Sequence, residues 1–281
     1  MAEHKLLGDI LLMTLVSFFG LALPGYALMR KLNPESDWNR GGSVSTSVIQ
    51  VLDLVIMGLY VMLFSFGWWN MGEKIANPEA LQMSAGAVLE ASFAMIFLTS
   101  LVPAVLFWRA NLAEFFGLRW EKWQSIFWIM PAFVFGMMVL GALLVASGWQ
   151  DWVTDTYGSK PQEAVTLLRE TKDVGLLVAI AVSAVIVAPI VEEVMFRGYL
   201  YPVVKRYSDR WFAALFTGVL FGVIHYNFMS LPMLAFMGVV LVVLYEVTGS
   251  LWVTIGCHAA FNGTSIGVML FARFYELPPA P

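Results

Sequence analysis

The chain has 281 residues, of which 59% are hydrophobic and only 13% are charged, and its mean hydropathy is +0.76. Soluble globular domains are about 45–50% apolar and about 25% charged, so this composition excludes an ordinary soluble domain and predicts an integral membrane protein. The formal net charge of −4 is small and gives no indication of a nucleic-acid partner. The single cysteine, Cys257, excludes an internal disulfide and is interpreted as a small buried hydrophobic residue.

Eight apolar segments approach the roughly 20 residues that a helix needs to cross a bilayer. The predicted fold class is therefore all-α, a polytopic membrane protein with about eight transmembrane helices. In chain order the segments are Leu6–Met29, Val48–Trp68, Ala87–Trp108, Ile126–Gly148, Leu176–Met195, Trp211–Phe228, Leu231–Val247 and Leu251–Phe271. The first segment lacks a small-x-small cleavage site, so we interpret it as a span and not as a secretory signal.

Short turns join the last four segments, which are therefore expected to pack as one group. We divide the chain into an N-terminal transmembrane region of about four spans, residues 1–173, and a core of about four spans, residues 174–281. Within the polar connection between them, the apolar spacing of Pro161–Lys172 predicts a helix lying along the membrane interface. Lys and Arg favour loops one, three and five, which predicts that these loops, including the basic loop Lys205–Arg210, are cytoplasmic and that both termini are outside.

Three short strings place polar and ionisable side chains inside the apolar segments of the core. Such groups cost a few kcal/mol or more in hydrocarbon, so they are functional candidates by default. Carboxylates, imidazoles, a carboxamide and a guanidinium are also groups with which proteins activate a water molecule. The strings are Glu192-Glu193-x-x-x-Arg197, Phe221-x-x-x-His225 and His258-x-x-x-Asn262.

The two adjacent glutamates of the first string are expected to have different roles. On a helix, Glu193 and Arg197 are four residues apart and share a face, whereas Glu192 points about 100° away from Glu193. Arg197 can therefore neutralise Glu193 and leave Glu192 facing a cavity, although a plain interfacial ion pair at a helix end is the alternative reading of the pair. Pro189 removes one backbone hydrogen bond and is expected to kink the helix near Val185, which would admit water.

The other two strings are expected to meet Glu192 near the middle of the bilayer. A helical rise of about 1.5 Å per residue places Glu192 and His258 each about 12 Å from the cytoplasmic end of their segments, with Asn262 at about 18 Å and His225 at about 21 Å. These depths agree to within half of a hydrocarbon core of about 30 Å, which predicts one shared cavity. Glu246, near the end of the seventh segment, is a further candidate to line it, whereas Asp53 is interpreted as a hydrogen-bonded packing residue or an interfacial residue.

Together, these three motifs in this order on successive intramembrane helices resemble those of the CPBP family. That family contains the type II CAAX prenyl endopeptidases and bacterial proteins tied to bacteriocin self-immunity and processing. The resemblance covers about Leu176–Phe271, roughly a third of the chain, and leaves the first four spans without a family. It implies an α-helical intramembrane endopeptidase that hydrolyses a peptide bond of a membrane-associated protein or peptide.

Carried over residue by residue, the resemblance implies that Glu192 and His225 position and deprotonate the attacking water. It implies that His258 and Asn262 stabilise the oxyanion. The supporting residues are Glu193 and Arg197, which would hold Glu192 in place, and Phe221.

The resemblance leaves the cofactor open between none and zinc. Family members are described both as metalloproteases and as glutamate-dependent enzymes that need no metal. The chain has no His-Glu-x-x-His string, but Glu192, His225 and His258 could supply three zinc ligands and leave a fourth position open. The metal-free mechanism is the expectation, with zinc as the alternative.

Two other functions fit the same sequence. One is a catalytically silent membrane regulator or bacteriocin-immunity scaffold, since no soluble recognition domain is evident. The other is a transporter that uses the intramembrane acids as a proton relay, which the lack of an inverted repeat disfavours. The expected partners are membrane lipid and a membrane-associated protein or peptide substrate, with no nucleic acid, and the expected location is a bacterial cell (inner) membrane.

Overall fold

A computed structural model describes residues 21–22, 24–38, 42–76, 84–158 and 161–275. All regular structure within these ranges is helical and no strand occurs there, which confirms the all-α class. Residues 24–32 form a helical stretch ahead of the first labelled helix. The helices are α1 (Val51–Ala76), α2 (Ala85–Leu106), α3 (Leu112–Phe115), α4 (Ile126–Ala146), α5 (Trp149–Tyr157), α6 (Glu163–Glu170), α7 (Val174–Tyr207), α8 (Arg210–Val223), α9 (Leu231–Thr248) and α10 (Leu251–Phe274).

Five helices of the described chain are long and apolar enough to cross a bilayer, which makes the chain an integral membrane protein. They are α2, α4 with the preceding turn from Trp123, α7, α9 and α10. The predicted count of eight is not confirmed, because most of the first segment, Leu6–Met29, lies outside the described residues. The predicted segment Trp211–Phe228 is also shorter than expected: α8 has 14 residues, or about 21 Å, and ends at Val223.

Helix α7 carries the first motif and departs twice from α-helical geometry. One π-helical turn covers Ser183–Val187 and a second covers Phe196–Leu200, so Glu192 and Glu193 lie on the α-helical turns between them. The first π turn immediately precedes Pro189 and includes Val185, where the sequence predicts a disturbance of the helix. Isolated π turns of this kind are frequent at functional sites.

Helices α8 and α9 pack closely at a pair of glycines. A Cβ atom on Gly218 would lie 2.8 Å from the backbone nitrogen of Val239, and one on Gly238 would lie 2.7 Å from the Cα atom of Gly218. A side chain at either position would collide with the backbone of the other helix, so glycine permits this close approach. The same crossing presents the carbonyl group of Gly238 to α7.

Helix α6 falls within the predicted interfacial segment Pro161–Lys172. Its Leu168 is buried against Ile180 of α7 and Ile266 of α10. Arg273, at the end of α10, donates a hydrogen bond to the carbonyl of Leu168 at 3.0 Å. The connection between the two halves of the chain is therefore packed onto the core.

Candidate active site

Three of the predicted side chains meet at the surface between α7, α8 and α10. Glu192 Oε2 lies 3.8 Å from Nε2 of His225 and 3.9 Å from Nε2 of His258. His225 follows the end of α8 in a turn, where Tyr226 has a positive φ of 53°. His258 is buried, whereas the side chains of Glu192 and His225 are 13% and 22% exposed, so the site is open on the side of His225.

Hydrogen bonds on the far side of each imidazole set its tautomer. His225 Nδ1 lies 2.7 Å from the carbonyl oxygen of Phe221, and His258 Nδ1 lies 3.0 Å from Oε1 of Glu193. A carbonyl oxygen and an ionised carboxylate can only accept, so both Nδ1 atoms carry hydrogen. In its neutral form, each ring therefore turns an unprotonated Nε2 toward Glu192, and in that form the three groups converge as hydrogen-bond acceptors.

The ion pair predicted from the spacing of Glu193 and Arg197 is present and fully buried. Arg197 Nη1 donates to Glu193 Oε1 at 2.8 Å, and the two side chains are 1% and 0% exposed. Arg197 Nη2 also donates to the carbonyl of Gly238 at 3.1 Å. The sequence assigned this pair to hold Glu192, but the contact that the structure shows is with His258, whose ring it orients.

The contacts of Phe221 account for the spacing of four residues between this phenylalanine and His225. Its carbonyl binds Nδ1 of His225, and its ring centroid lies 4.9 Å from that of His225 and 5.7 Å from that of His258. The guanidinium carbon of Arg197 lies over the same ring at 4.6 Å. Phe221 is fully buried and therefore packs both imidazoles and the arginine around one aromatic ring.

Asn262 contacts the backbone of the first π turn. In this turn the N–H of Ala188 donates to Ser183, and Pro189 has no N–H, so the carbonyl of Ala184 loses the donors that a helix would give it. Asn262 Nδ2 replaces them at 2.8 Å. The carboxamide therefore braces the distorted turn two helical turns before Glu192, a contact that the sequence did not predict, and keeps its second amide hydrogen.

Several buried polar atoms of the site have no hydrogen-bond partner within the described part of the protein. They are Oε2 of Glu192, Oε2 of Glu193 and Nε of Arg197. Buried polar atoms in proteins are nearly always paired with protein or with water. Glu192 Oε2, which faces both Nε2 atoms, is therefore a strong binding position for a water molecule or a substrate group.

The site matches zinc in the type of its ligands but not in their spacing. Both imidazoles are held through Nδ1, as in metal-binding histidines. Ligand atoms about 2.0–2.1 Å from a tetrahedral zinc ion lie about 3.4 Å apart, and the separations of 3.8 and 3.9 Å are wider. No group of three His, Cys, Asp or Glu residues among the residues described has the spacing of a metal site.

Two other acids of the apolar segments, Asp53 and Glu246, are hydrogen-bonded elsewhere. Asp53 is buried and accepts from Arg109 at 2.7 and 2.8 Å and from Tyr199 at 2.8 Å, as expected of a packing residue. Glu246 pairs with Lys205 and lines a separate cavity, so the expectation that it lines the cavity of Glu192 is wrong. Tyr199 follows Arg197 in the second π turn, and no local spacing in the sequence marked its bond to Asp53.

Comparisons with known proteins point to one family. Residues 174–264 match the family model of the Rce1-like type II CAAX prenyl endopeptidases. The chain is also 26% identical over 138 residues to a Bacillus subtilis protein named "Putative membrane peptidase YdiL". The match covers 49% of this chain and 54% of that relative, so the chain spans about half the length of the curated relative it matches. No solved structure matches.

The family match contains every residue of the three motifs, from Glu192 to Asn262. It also begins where α7 begins, at Val174. By its motifs and by these comparisons, the part of the chain from residue 174 to residue 264 is similar to the Rce1-like type II CAAX prenyl endopeptidases.

Proposed function

We propose that this protein is an intramembrane endopeptidase that hydrolyses a peptide bond of a membrane-associated protein or peptide. One observation carries the proposal: a carboxylate oxygen of Glu192 faces two imidazole nitrogens at 3.8 and 3.9 Å inside apolar helices. Polar groups more than 3.5 Å apart are commonly bridged by water. A water molecule can donate its two hydrogens to two of these acceptors.

In the proposed reaction, the water is bound by Glu192 and by Nε2 of His225. Glu192 removes one proton as the oxygen attacks the carbonyl carbon of the scissile peptide bond. The C–N bond then breaks, and the proton taken up by the site passes to the leaving nitrogen, so that one water is consumed for each bond cleaved. The bond between His225 Nδ1 and Phe221 keeps Nε2 unprotonated for this role.

His258 and Asn262 are the proposed donors to the oxyanion. In its neutral tautomer His258 has no hydrogen on Nε2, so it can donate to the oxyanion only when doubly protonated. Its Nδ1 bond to the carboxylate of Glu193 stabilises that charged form. Asn262 contributes the amide hydrogen that Ala184 does not use.

The proposed location is the cell membrane of a bacterium, which the Bacillus relative supports. The proposed substrates are peptides or proteins held at that membrane, such as bacteriocin precursors, peptide pheromones or membrane regulators. The apolar helices around the site favour such substrates over soluble proteins. We propose that the substrate carries no prenyl group.

The proposal is tested by looking for new protein termini in cells. Membranes from cells that express the wild type, Glu192→Gln or Glu114→Gln are compared by mass spectrometry of protein termini. Glu114 is exposed and lies outside the site, so it serves as the control. We expect termini that appear with the wild type and the control but not with Glu192→Gln, and we expect the purified protein to cleave a peptide that spans the same bond.

A different result would favour the silent regulator or immunity scaffold. In that case the three strains would show the same termini, and Glu192→Gln would still complement the phenotype of a deletion. Function would then depend on the folded chain and not on its carboxylate.

The role of Asn262 gives a second prediction. Loss of one oxyanion donor typically costs about 10²–10³ in turnover, so Asn262→Ala should lower kcat by that factor with little change in KM. Thr264→Ala, an exposed position on the same helix, is the control. If kcat is unchanged and KM rises, Asn262 acts in substrate recognition and the oxyanion assignment fails.

Metal dependence gives a third prediction. The wide spacing around Glu192 leads us to propose a mechanism without metal, so 1,10-phenanthroline should leave the rate of cleavage unchanged. Metal content of the purified protein, measured by mass spectrometry, is the second readout. Stoichiometric zinc that is lost in His258→Ala, together with chelator-sensitive and zinc-rescued cleavage, would overturn the metal-free mechanism.

A further inference from the structure

A second cavity lies between α8 and α9, at the end of these helices that adjoins the basic loop Lys205–Arg210. It has a volume of about 270 Å³. The two helices are in contact at Gly218 and Gly238, so they separate toward this end and leave a wedge. Apolar side chains of Ala214, Val242 and Val243 line its inner part.

The polar rim of this cavity contains a carboxylate that is already neutralised. Glu246 accepts a hydrogen bond from the backbone N–H of Ser43 at 2.7 Å, and further bonds from the hydroxyl of Tyr201 and the ammonium of Lys205. Lys205 is buried and pairs directly with Glu246. The charges of the pair cancel, and the oxygens of the carboxylate are occupied by donors.

Arg210 is the other charged residue among the described residues that line this rim. Within the described residues, Arg210 forms no ion pair, and its guanidinium carbon lies over the ring of Trp211 at 4.9 Å. Trp211 is 63% exposed, and Val247 on the opposite lip is 74% exposed. The opening of the wedge therefore combines one cation with an outward-facing apolar surface, which in a membrane protein of this kind faces lipid.

We propose that this cavity binds an anionic phospholipid of the membrane, with its phosphate on Arg210 and the start of an acyl chain between α8 and α9. Arginine presents parallel N–H groups that match a phosphate, and stacking on an aromatic ring holds the guanidinium in place. Tryptophan is characteristic of the headgroup level of a bilayer, and anionic lipids are concentrated in the cytoplasmic leaflet, where the basic loop is predicted to lie.

This lipid site is separate from Glu192 and does not depend on the proposed peptidase activity. Its polar groups belong to the ends of α7, α8 and α9 and to the segment at Ser43, and none of them belongs to the three motifs. A protein without peptidase activity would be expected to bind the same lipid. Binding can therefore be measured on the full chain with no substrate present.

The experiment measures binding of phosphatidylglycerol to the full-length protein in a neutral detergent by native mass spectrometry, with phosphatidylcholine as the zwitterionic comparison. We expect Arg210→Gln to weaken phosphatidylglycerol binding about tenfold, because it removes a guanidinium that lines the rim and forms no ion pair within the described part of the chain. Arg206→Gln is the matched control, since Arg206 is exposed in the same basic loop and does not line the cavity. It should bind the lipid as the wild type does.

A second variant tests the apolar part of the site. Val243→Phe fills the wedge without changing charge and should also weaken phosphatidylglycerol binding, which keeps the proposal testable if Arg210→Gln does not fold. Equal binding of phosphatidylglycerol by the wild type and Arg210→Gln, or no preference over phosphatidylcholine, would overturn the proposal. If inorganic phosphate alone stabilises the protein against thermal unfolding as much as phosphatidylglycerol does, the cavity binds free anions. That result would also overturn the proposal.

Discussion

Purified Glu192→Gln should fold as the wild type does and cleave the substrate about 10²–10⁴-fold more slowly. Glutamine has nearly the same shape, so the packing between α7 and α10 is kept. Its amide cannot accept a proton from water, and it can donate to the unprotonated Nε2 atoms of His225 and His258, which lie within 3.9 Å of the carboxylate. The variant therefore removes the base, while the side chain at position 192 can still form hydrogen bonds with the two imidazoles.

The measurement compares initial rates and thermal unfolding of Glu192→Gln with those of Glu114→Gln. Both changes remove one carboxylate charge, but Glu114 is exposed and distant from the motifs in sequence. We expect only Glu192→Gln to lose activity and neither variant to lose stability. A folded Glu192→Gln that cleaves at the wild-type rate would exclude Glu192 as the base.

Local spacing explains which parts of the site were predictable. Residues four apart on a helix share a face, so the sequence correctly predicted the pair of Glu193 and Arg197 and the divergence of Glu192 from it. Helical rise, together with the predicted orientation of the segments, was also enough to predict that Glu192 would meet His225 and His258, although His225 lies in the turn after α8 and not within the predicted helix. These inferences need no knowledge of how the helices are arranged.

Contacts that depend on the rotation of neighbouring helices were beyond the sequence. Pro189 indicated a disturbed turn, but nothing in the sequence identified Asn262 as the donor that binds the freed carbonyl of Ala184. The bond between Glu193 and His258 was missed for the same reason, since it joins α7 to α10. The end of α8 before His225 depends on the turn at Tyr226, which has no glycine to mark it.

In the N-terminal half, too, contacts between distant segments could not be predicted from the sequence. Asp53 was expected to be a packing residue, and its bonds to Arg109 and Tyr199 join α1, the end of α2 and the second π turn of α7. The position of Asp53 in an apolar segment predicted a hydrogen-bonded packing residue or an interfacial one, without naming its partners. The identity of those partners required the arrangement of three segments that are far apart in the chain.

Loss of Arg197 or of Glu193 is expected to destabilise the protein by about 3–5 kcal/mol, because either change leaves one buried charge without its partner. Arg197→Met and Glu193→Gln are the single variants, measured by chemical unfolding in detergent, with exposed Arg169→Met as the control. Replacing both partners leaves no uncompensated charge, so the double variant should lose less stability than the sum of the two single losses.

Measuring activity distinguishes the loss of the interaction between Glu193 and His258 from a loss of stability. The double variant has a glutamine at position 193, whose amide oxygen can still accept from Nδ1 of His258 but has no negative charge to stabilise the charged form of the ring. We therefore expect a double variant that regains much of its stability but remains slow in kcat. If both single variants are as stable as the wild type, the pair is not buried in the folded protein. If the double variant regains full activity, His258 does not depend on the charge of Glu193, and the proposed stabilisation of the charged imidazole by this buried carboxylate fails.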